Sequence, residues 1–169
     1  MKITQIKVAE SLKAFYICVI ITQIKIMVFT SETALPIKES DQRYIFLAGS
    51  MASKQTINWR NQVVNSLRNS YQFLDPTKEH RDTLNATQMK THVEWELDAM
   101  AMADIVLLNF LPKALSPISL VELGLYVNTN KLYVVCPKAF YKSSYVVTLC
   151  ERYHTPTFTT LHKAIDTLT

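Results

Sequence analysis

The sequence predicts a doubly wound α/β domain, a parallel sheet of about five strands with helices on both faces. Three observations carry this. Short apolar runs rich in β-branched and aromatic residues, such as YIFLA at 44–48 and LYVVC at 132–136, alternate with stretches of helical period. Each connection between runs is about the length of one helix and two loops, which suits a right-handed βαβ crossover. Glycine occurs only twice in 169 residues, and Gly49 and Gly124 both stand where a strand or loop is expected to hand over to a helix. A chain so poor in glycine keeps it for tight backbone or close approach, and open α/β sheets bind ligands at such hand-overs.

Taken in order, residues 24–30 (IKIMVFT) read as an edge strand, followed by a polar connection through Pro36 to residue 42. Residues 44–48 form the first buried strand. Residues 56–69 carry Trp59, Val63 and Leu67 at four-residue spacing, an amphipathic helix. Residues 71–74 return as a strand, stopped by Asp75 and Pro76, and 77–86 make a polar loop of a length often used for function. Residues 87–103 form a helix with Thr87 as N-cap and Val93, Leu97 and Met100 on one face. A strand at 104–109 opens on an acid and closes on an amide. Beyond a loop with two prolines comes a helix at 119–130, capped by Ser119, with Glu122 in its first turn or two. A strand at 132–136, a helix at 144–153, a short strand at 157–158 and a helix at 161–168 complete a flavodoxin-like pattern. The sequence has no GxGxxG and no GxxxxGK[ST], so neither a dinucleotide fingerprint nor a P-loop is indicated.

Residues 24–169 read as one domain and 1–23 as an N-terminal extension, with Met27 an alternative start. The run AFYICVII at 14–21 behind Lys2, Lys7 and Lys13 imitates an export signal. It is broken by Gln23 and Lys25, well short of the roughly 20 residues of a membrane span. No membrane partner is therefore expected. The net charge of +4 is scattered, with no basic run, which gives nucleic-acid binding little support and suits a small anionic ligand equally well. Cys18, Cys136 and Cys150 lack metal-binding spacing and read as buried thiols of a cytoplasmic protein. No metal and no redox cofactor is expected.

Glu122 is the main chemical candidate. An oriented, ionised carboxylate near a helix start is what attack on a sugar's anomeric carbon requires; the plainer role is decoration of a first turn. Asp104 either anchors the start of its strand or protonates a leaving group. Arg60 falls off the apolar stripe and suits a phosphate or carboxylate, whereas Trp59 fits the core. Asp75 makes either a turn or a contact to a base edge. Gly49 and Ser50 form one half-site and Glu122 the other. His80, His92, His154 and His162 show no metal spacing and read as surface or packing residues.

IFLAGS at 45–50, WR at 59–60, DP at 75–76, VEWELDAMAMADIVLLNF at 93–110 and SLVELGLY at 119–126 occur together in order. This ordered set, with ETALP at 32–36 as a lead-in, resembles the nucleoside 2-deoxyribosyltransferase-like family over about residues 44–136. The resemblance implies cleavage or transfer of the N-glycosidic bond of a (deoxy)nucleoside or nucleoside 5′-monophosphate, with Glu122 as nucleophile and Asp104 assisting the leaving base. It implies Gly49 and Ser50 on the sugar side. Beside these, Ser50, Arg60 and Ser116 are candidate phosphate or sugar ligands, Asp75 and Asn109 candidate substrate contacts, and Trp59 and Phe110 candidate walls of a base pocket, with the core as the plainer place for both. Family members usually form dimers or larger homo-oligomers in which a neighbour completes the site. Two departures stand out. Ser116 replaces the acid that transferases carry six positions before the nucleophile, and is more like the phosphate-binding serine of the superfamily's nucleotide N-glycosidases, although Pro117, Ile118 and Ser119 replace glycines there. Ile45 stands where transferases place a tyrosine, leaving Tyr44 and Tyr126 as the nearest hydroxyls. A nucleotide-binding module without turnover is the alternative reading, and an interaction protein acting through its N-terminal segment a more distant one.

Overall fold

The computed structural model describes residues 28–51, 58–78 and 83–169. The N-terminal extension, residues 24–27, residues 56 and 57 of the expected first helix and His80 lie outside the described residues.

The elements are strands β1 (Val28–Thr30), β2 (Tyr44–Gly49), β3 (Gln72–Asp75), β4 (Ile105–Asn109), β5 (Leu132–Val135) and β6 (Thr157–Phe158). Interleaved with them are helices α1 (Trp59–Leu67), α2 (Ala86–Met102), α3 (Pro117–Tyr126), α4 (Ser143–Arg152) and α5 (Leu161–Leu168). All strand pairs are parallel, in the order β1-β3-β2-β4-β5-β6. The sheet thus has six strands against the expected five or so, and the short strand expected at 157–158 is its outer member β6. β1 is the other edge, as its mixed burial and polar surroundings favour.

The layers follow from strand parity. Along β4, Val106 and Leu108 pack with Trp95, Leu123 and Val146 of α2, α3 and α4. Ile105 and Leu107 point the other way, against Val63 of α1 and Ile165 of α5. Both faces being covered explains why β2 reads YIFLA without alternation: residues 44–48 are all buried. The chain turns one way from β2 to β3 and the other way from β4 to β5, so the topological switch point lies between the carboxyl ends of β2 and β4.

Several local expectations are corrected. The cap of α2 is Asn85, whose Oδ1 accepts from Gln88 N at 2.9 Å while Gln88 Oε1 accepts from Asn85 N at 3.0 Å, a reciprocal box that Thr87 lacks. The buried stripe of α2 is His92, Trp95, Glu96, Ala99 and Met100. Val93 and Leu97 are exposed, because the stripe includes polar residues that an apolar count passes over. Helix α3 starts two residues earlier than expected, behind Ser116, and Gly124 lies inside it with open space around the place of a Cβ. Cys136 and Cys150 are buried and unbridged, and burial pushes the Cys136 thiol up to about 11. Among the described residues no helix is long and apolar enough to cross a membrane.

Candidate active site

The site begins where β2 ends. Gly49 has φ +124°, and a Cβ there would stand 2.3 Å from the carbonyl oxygen of Asn109, its partner in β4. Only glycine lets the two backbones approach in this way. The next residue is then locked: Ser50 N donates to Asn109 O at 2.9 Å, and Ser50 Oγ accepts from Leu111 N at 3.0 Å.

Helix α1 closes the turn from outside. Arg60, 3% exposed, donates to three carbonyls of this segment: Nε to Leu47 O at 3.2 Å, Nη2 to Gly49 O at 3.3 Å and Nη1 to Ser50 O at 3.5 Å. Its guanidinium lies over the Trp59 ring at 4.3 Å and pairs with Asp75 Oδ1 at 3.3 Å. Burial lowers its pKa, while the negative charges of Asp75, Glu122 and Glu96, in that order, act to raise it. One fixed cation therefore serves three carboxylates.

Helix α3 supplies the opposite wall. Ser116 caps it in the left-handed region at φ 47°, ψ 51°, followed by Pro117 at the first helical position. Its hydroxyl makes no cap bond and instead lies 2.5 Å from Ser50 Oγ, joining the two half-sites. Ser119 and Glu122 are three residues apart, hence on one face, and both are buried. Glu122 is 6% exposed and sits in the second turn. From α2 comes Glu96, buried beside His92 with Nε2 to Oε1 at 3.3 Å. Gly49, Ser50, Arg60, Glu96, Ser116 and Glu122 all line one cavity of about 330 Å³ at the switch point. That volume lies in the range of about 300–1,000 Å³ typical of small-molecule sites.

Of the residues expected from sequence, Gly49, Ser50, Arg60, Ser116 and Glu122 meet in this cavity. Asp75 stands behind Arg60, its Oδ1 also accepting from Thr77 N and Oγ1 at 2.9 and 2.6 Å. Trp59, Asn109 and Phe110 line a different cleft, and Phe110 stacks on Phe140 at 4.4 Å. Tyr44 donates to Gln42 Oε1 at the far edge, Tyr126 ends α3 outside the cavity lining, and Ile45 is wholly buried in the core on the α1 and α5 face.

Asp104 is not brought to the cavity. It precedes β4 at the amino edge of the sheet, about five residues or roughly 16 Å of strand from Asn109. There Oδ1 accepts from Lys38 Nζ at 2.6 Å and Oδ2 from Tyr44 N at 2.8 Å. Partial burial raises its pKa, but the Lys38 and Tyr44 hydrogen bonds outweigh it and leave the value below the ordinary 3.8. A lowered pKa stabilises the fold above the unfolded value, and the contribution is lost as pH falls through the folded one. Asp104→Asn should lower the melting temperature at neutral pH, by up to about 1 kcal/mol of stability for so exposed a pair. The difference from wild type should close below pH 4, and any activity per folded molecule should stay unchanged.

Glu96 is the site residue that sequence reading missed. The signal was present: with Trp95, Ala99 and Met100 it lies on the one helical stripe that is buried, and an acid on such a stripe is rarely idle. Among the described residues no cluster of three His, Cys, Asp or Glu side chains has the arrangement of a metal site.

A parallel α/β sheet with buried carboxylates and a buried guanidinium around a cavity at its switch point places the chain in the doubly wound class. A family model described as nucleoside 2-deoxyribosyltransferase like matches residues 42–140. The chain belongs to the nucleoside 2-deoxyribosyltransferase-like family. Comparison with curated proteins finds no match.

Proposed function

We propose that the chain cleaves the N-glycosidic bond of a (deoxy)nucleoside or its 5′-monophosphate and passes the sugar to a second base or to water. The observation that carries this reading is the presence of Glu122 and Glu96 in one cavity with Arg60. In the proposed step an oxygen of Glu122 bonds to C1′ as the C1′–N bond breaks, and the departing base takes the proton of Glu96. The acceptor then attacks C1′ from the vacated face and returns a proton to Glu96, releasing Glu122 with configuration retained. Two carboxyls divide these roles when one is held ionised and the other protonated. The field of Arg60 supports the ionised state of Glu122, and the proton delivered to the base is held between Glu96 and His92, whose Nε2 lies 3.3 Å from Glu96 Oε1. Ser50, Ser116 and Ser119, at the start of α3, are the proposed contacts to sugar hydroxyls or a 5′-phosphate. The step needs no metal and no redox cofactor.

The test is chromatographic detection of free base from a panel of nucleosides and 5′-monophosphates, with and without an acceptor base. Release that rises with acceptor marks a transferase, and release without one marks a hydrolase. A folded protein that releases no base, but whose melting temperature rises with a nucleotide, would leave a binding module.

We further propose a homo-oligomer built on the exposed apolar face of α2 and α3. Val93, Leu97, Val121 and Leu125 border a groove of about 150 Å³ whose lining includes Glu96, Ile118 and Glu122, residues shared with the main cavity. A second copy seated there would wall the open side of the pocket. Leu125→Asp should convert the assembly to monomers in light scattering and reduce base release about tenfold or more; an unchanged mass with full activity would remove this face from the interface. The buried thiols support a reducing compartment, the cytosol, as the working location.

A further inference from the structure

On the opposite face of the sheet lies a second cleft, of about 250 Å³, above the carboxyl ends of β4 and β5 and beside the start of α5. Its character differs from the main cavity. Among the described residues no charged side chain lines it; the polar groups are the carboxamides of Asn109 and Gln62 and the hydroxyls of Thr159 and Thr160. The remaining wall is apolar, including the Trp59 ring and Pro137.

Asn109 is the unusual member. Parity along β4 turns it to the side of Ile105 and Leu107, away from Glu122 and into this cleft. It is 3% exposed. Its backbone oxygen accepts from Ser50 N, and the residue lines the cleft. A carboxamide in the wall of a cleft offers a ligand both a donor and an acceptor. Gln62, exposed on α1 one turn beyond Trp59, offers a second carboxamide at the rim. The start of α5, where Thr160 Oγ1 accepts from Lys163 N at 3.5 Å, adds backbone N–H donors.

We infer that this cleft is a second ligand site, distinct from the Glu122 cavity, for an uncharged purine base. The absence of a lining cation among the described residues argues against phosphates and carboxylates, and a purely hydrocarbon ligand would make no use of the Asn109 carboxamide. A carboxamide presents a donor and an acceptor side by side, which matches the N6 and N7 edge of adenine in a bidentate pair. The flat indole and proline walls suit the faces of a planar bicycle. The cleft touches the main site through Ser50: of its wall residues, Trp59 donates from Nε1 to Ser50 O at 2.9 Å, Leu111 N donates to Ser50 Oγ at 3.0 Å and Asn109 O accepts from Ser50 N at 2.9 Å. The assignment does not rest on the chemistry at Glu122 and stands or falls separately.

The experiment is calorimetric titration of the full chain with adenine, using wild type, Asn109→Leu, Gln62→Ala and Glu122→Gln. Adenine should bind wild type and Glu122→Gln alike. Asn109→Leu, nearly isosteric, should weaken binding about tenfold or more, as loss of a bidentate pair predicts. Gln62→Ala, on the surface and without consequence for folding, should weaken it about threefold. Absence of adenine binding would overturn the inference, as would affinity that ignores both carboxamides, because the base would then sit elsewhere. If Asn109→Leu fails to fold, unchanged affinity in Gln62→Ala overturns it alone. Indole that binds wild type and Asn109→Leu equally, and more tightly than adenine, would reassign the cleft to apolar ligands.

Discussion

Glu122→Gln should depress base release by at least about 10³-fold, on the order of 4 kcal/mol of transition-state stabilisation, while the protein keeps its fold and its affinity for substrate. The amide has nearly the shape of the acid and lacks the negative oxygen that must bond to C1′. Glu122 is 6% exposed in a cavity shared with Arg60, so the lost charge is not replaced by solvent. Glu122→Ala offers a sharper distinction, since it leaves space beside C1′. A small external anion such as azide or formate should restore part of the release in that variant, by taking the place of the missing carboxylate. Loss in both variants without rescue would point to a role in holding Arg60 rather than in attack. Retention of full activity by Glu122→Gln would remove the glycosyl-glutamate reading. Glu96→Gln should behave differently: the proton donor is gone, so release of poorly leaving bases should fall far more than release of good ones.

Gly49→Ala should destabilise the protein by about 3–5 kcal/mol, a drop on the order of 10 °C in melting temperature. Two independent faults add. The φ of +124° is one that a side chain rarely adopts, and the new Cβ would lie 2.3 Å from Asn109 O and 2.6 Å from Asn109 N. Backbone atoms in the middle of a parallel sheet cannot swing away, so β2 and β4 must separate. Ser50 moves with them, and with it the carbonyls that hold Arg60. Gly124 is the control within the same chain. It lies inside α3 with nothing within 4 Å of a Cβ, so Gly124→Ala should stabilise an isolated chain by about 0.5–1 kcal/mol. A loss of stability there instead would mean that a second copy packs against that glycine. Equal stability of Gly49→Ala and wild type would contradict the close approach of β2 and β4.

The half-site around Gly49 was legible because glycine is rare in this chain and closes an apolar run. The half-site around Glu122 was legible through SLVELGLY. Asp104 was misplaced for a physical reason that the sequence also contains: in a parallel sheet an acid that opens a strand lies at the amino edge, whereas ligands gather at the carboxyl edge. Glu96 was passed over because its helical face was judged by Val93 and Leu97. Those residues face outward, and a count of apolar positions cannot tell a core face from an exposed apolar one. Asn109 shows a different limit. Its place at the end of β4 was evident, but β2 and β4 lie side by side with pockets above both faces, and period-2 alternation relative to the neighbouring strands decides which one it enters.

The sequence by itself determined the class of fold, the order of its strands and helices, and the two segments that meet at the site. These depend on local quantities: hydrophobic period, turn chemistry and the rarity of glycine. The tertiary structure alone decided that Arg60 binds three carbonyls of the β2 end, that Ser50 and Ser116 join across the cavity, and that Glu96 stands with Glu122. Each of these pairings spans from about ten to more than sixty residues of chain, and only the packing of helices onto a shared sheet sets such distances.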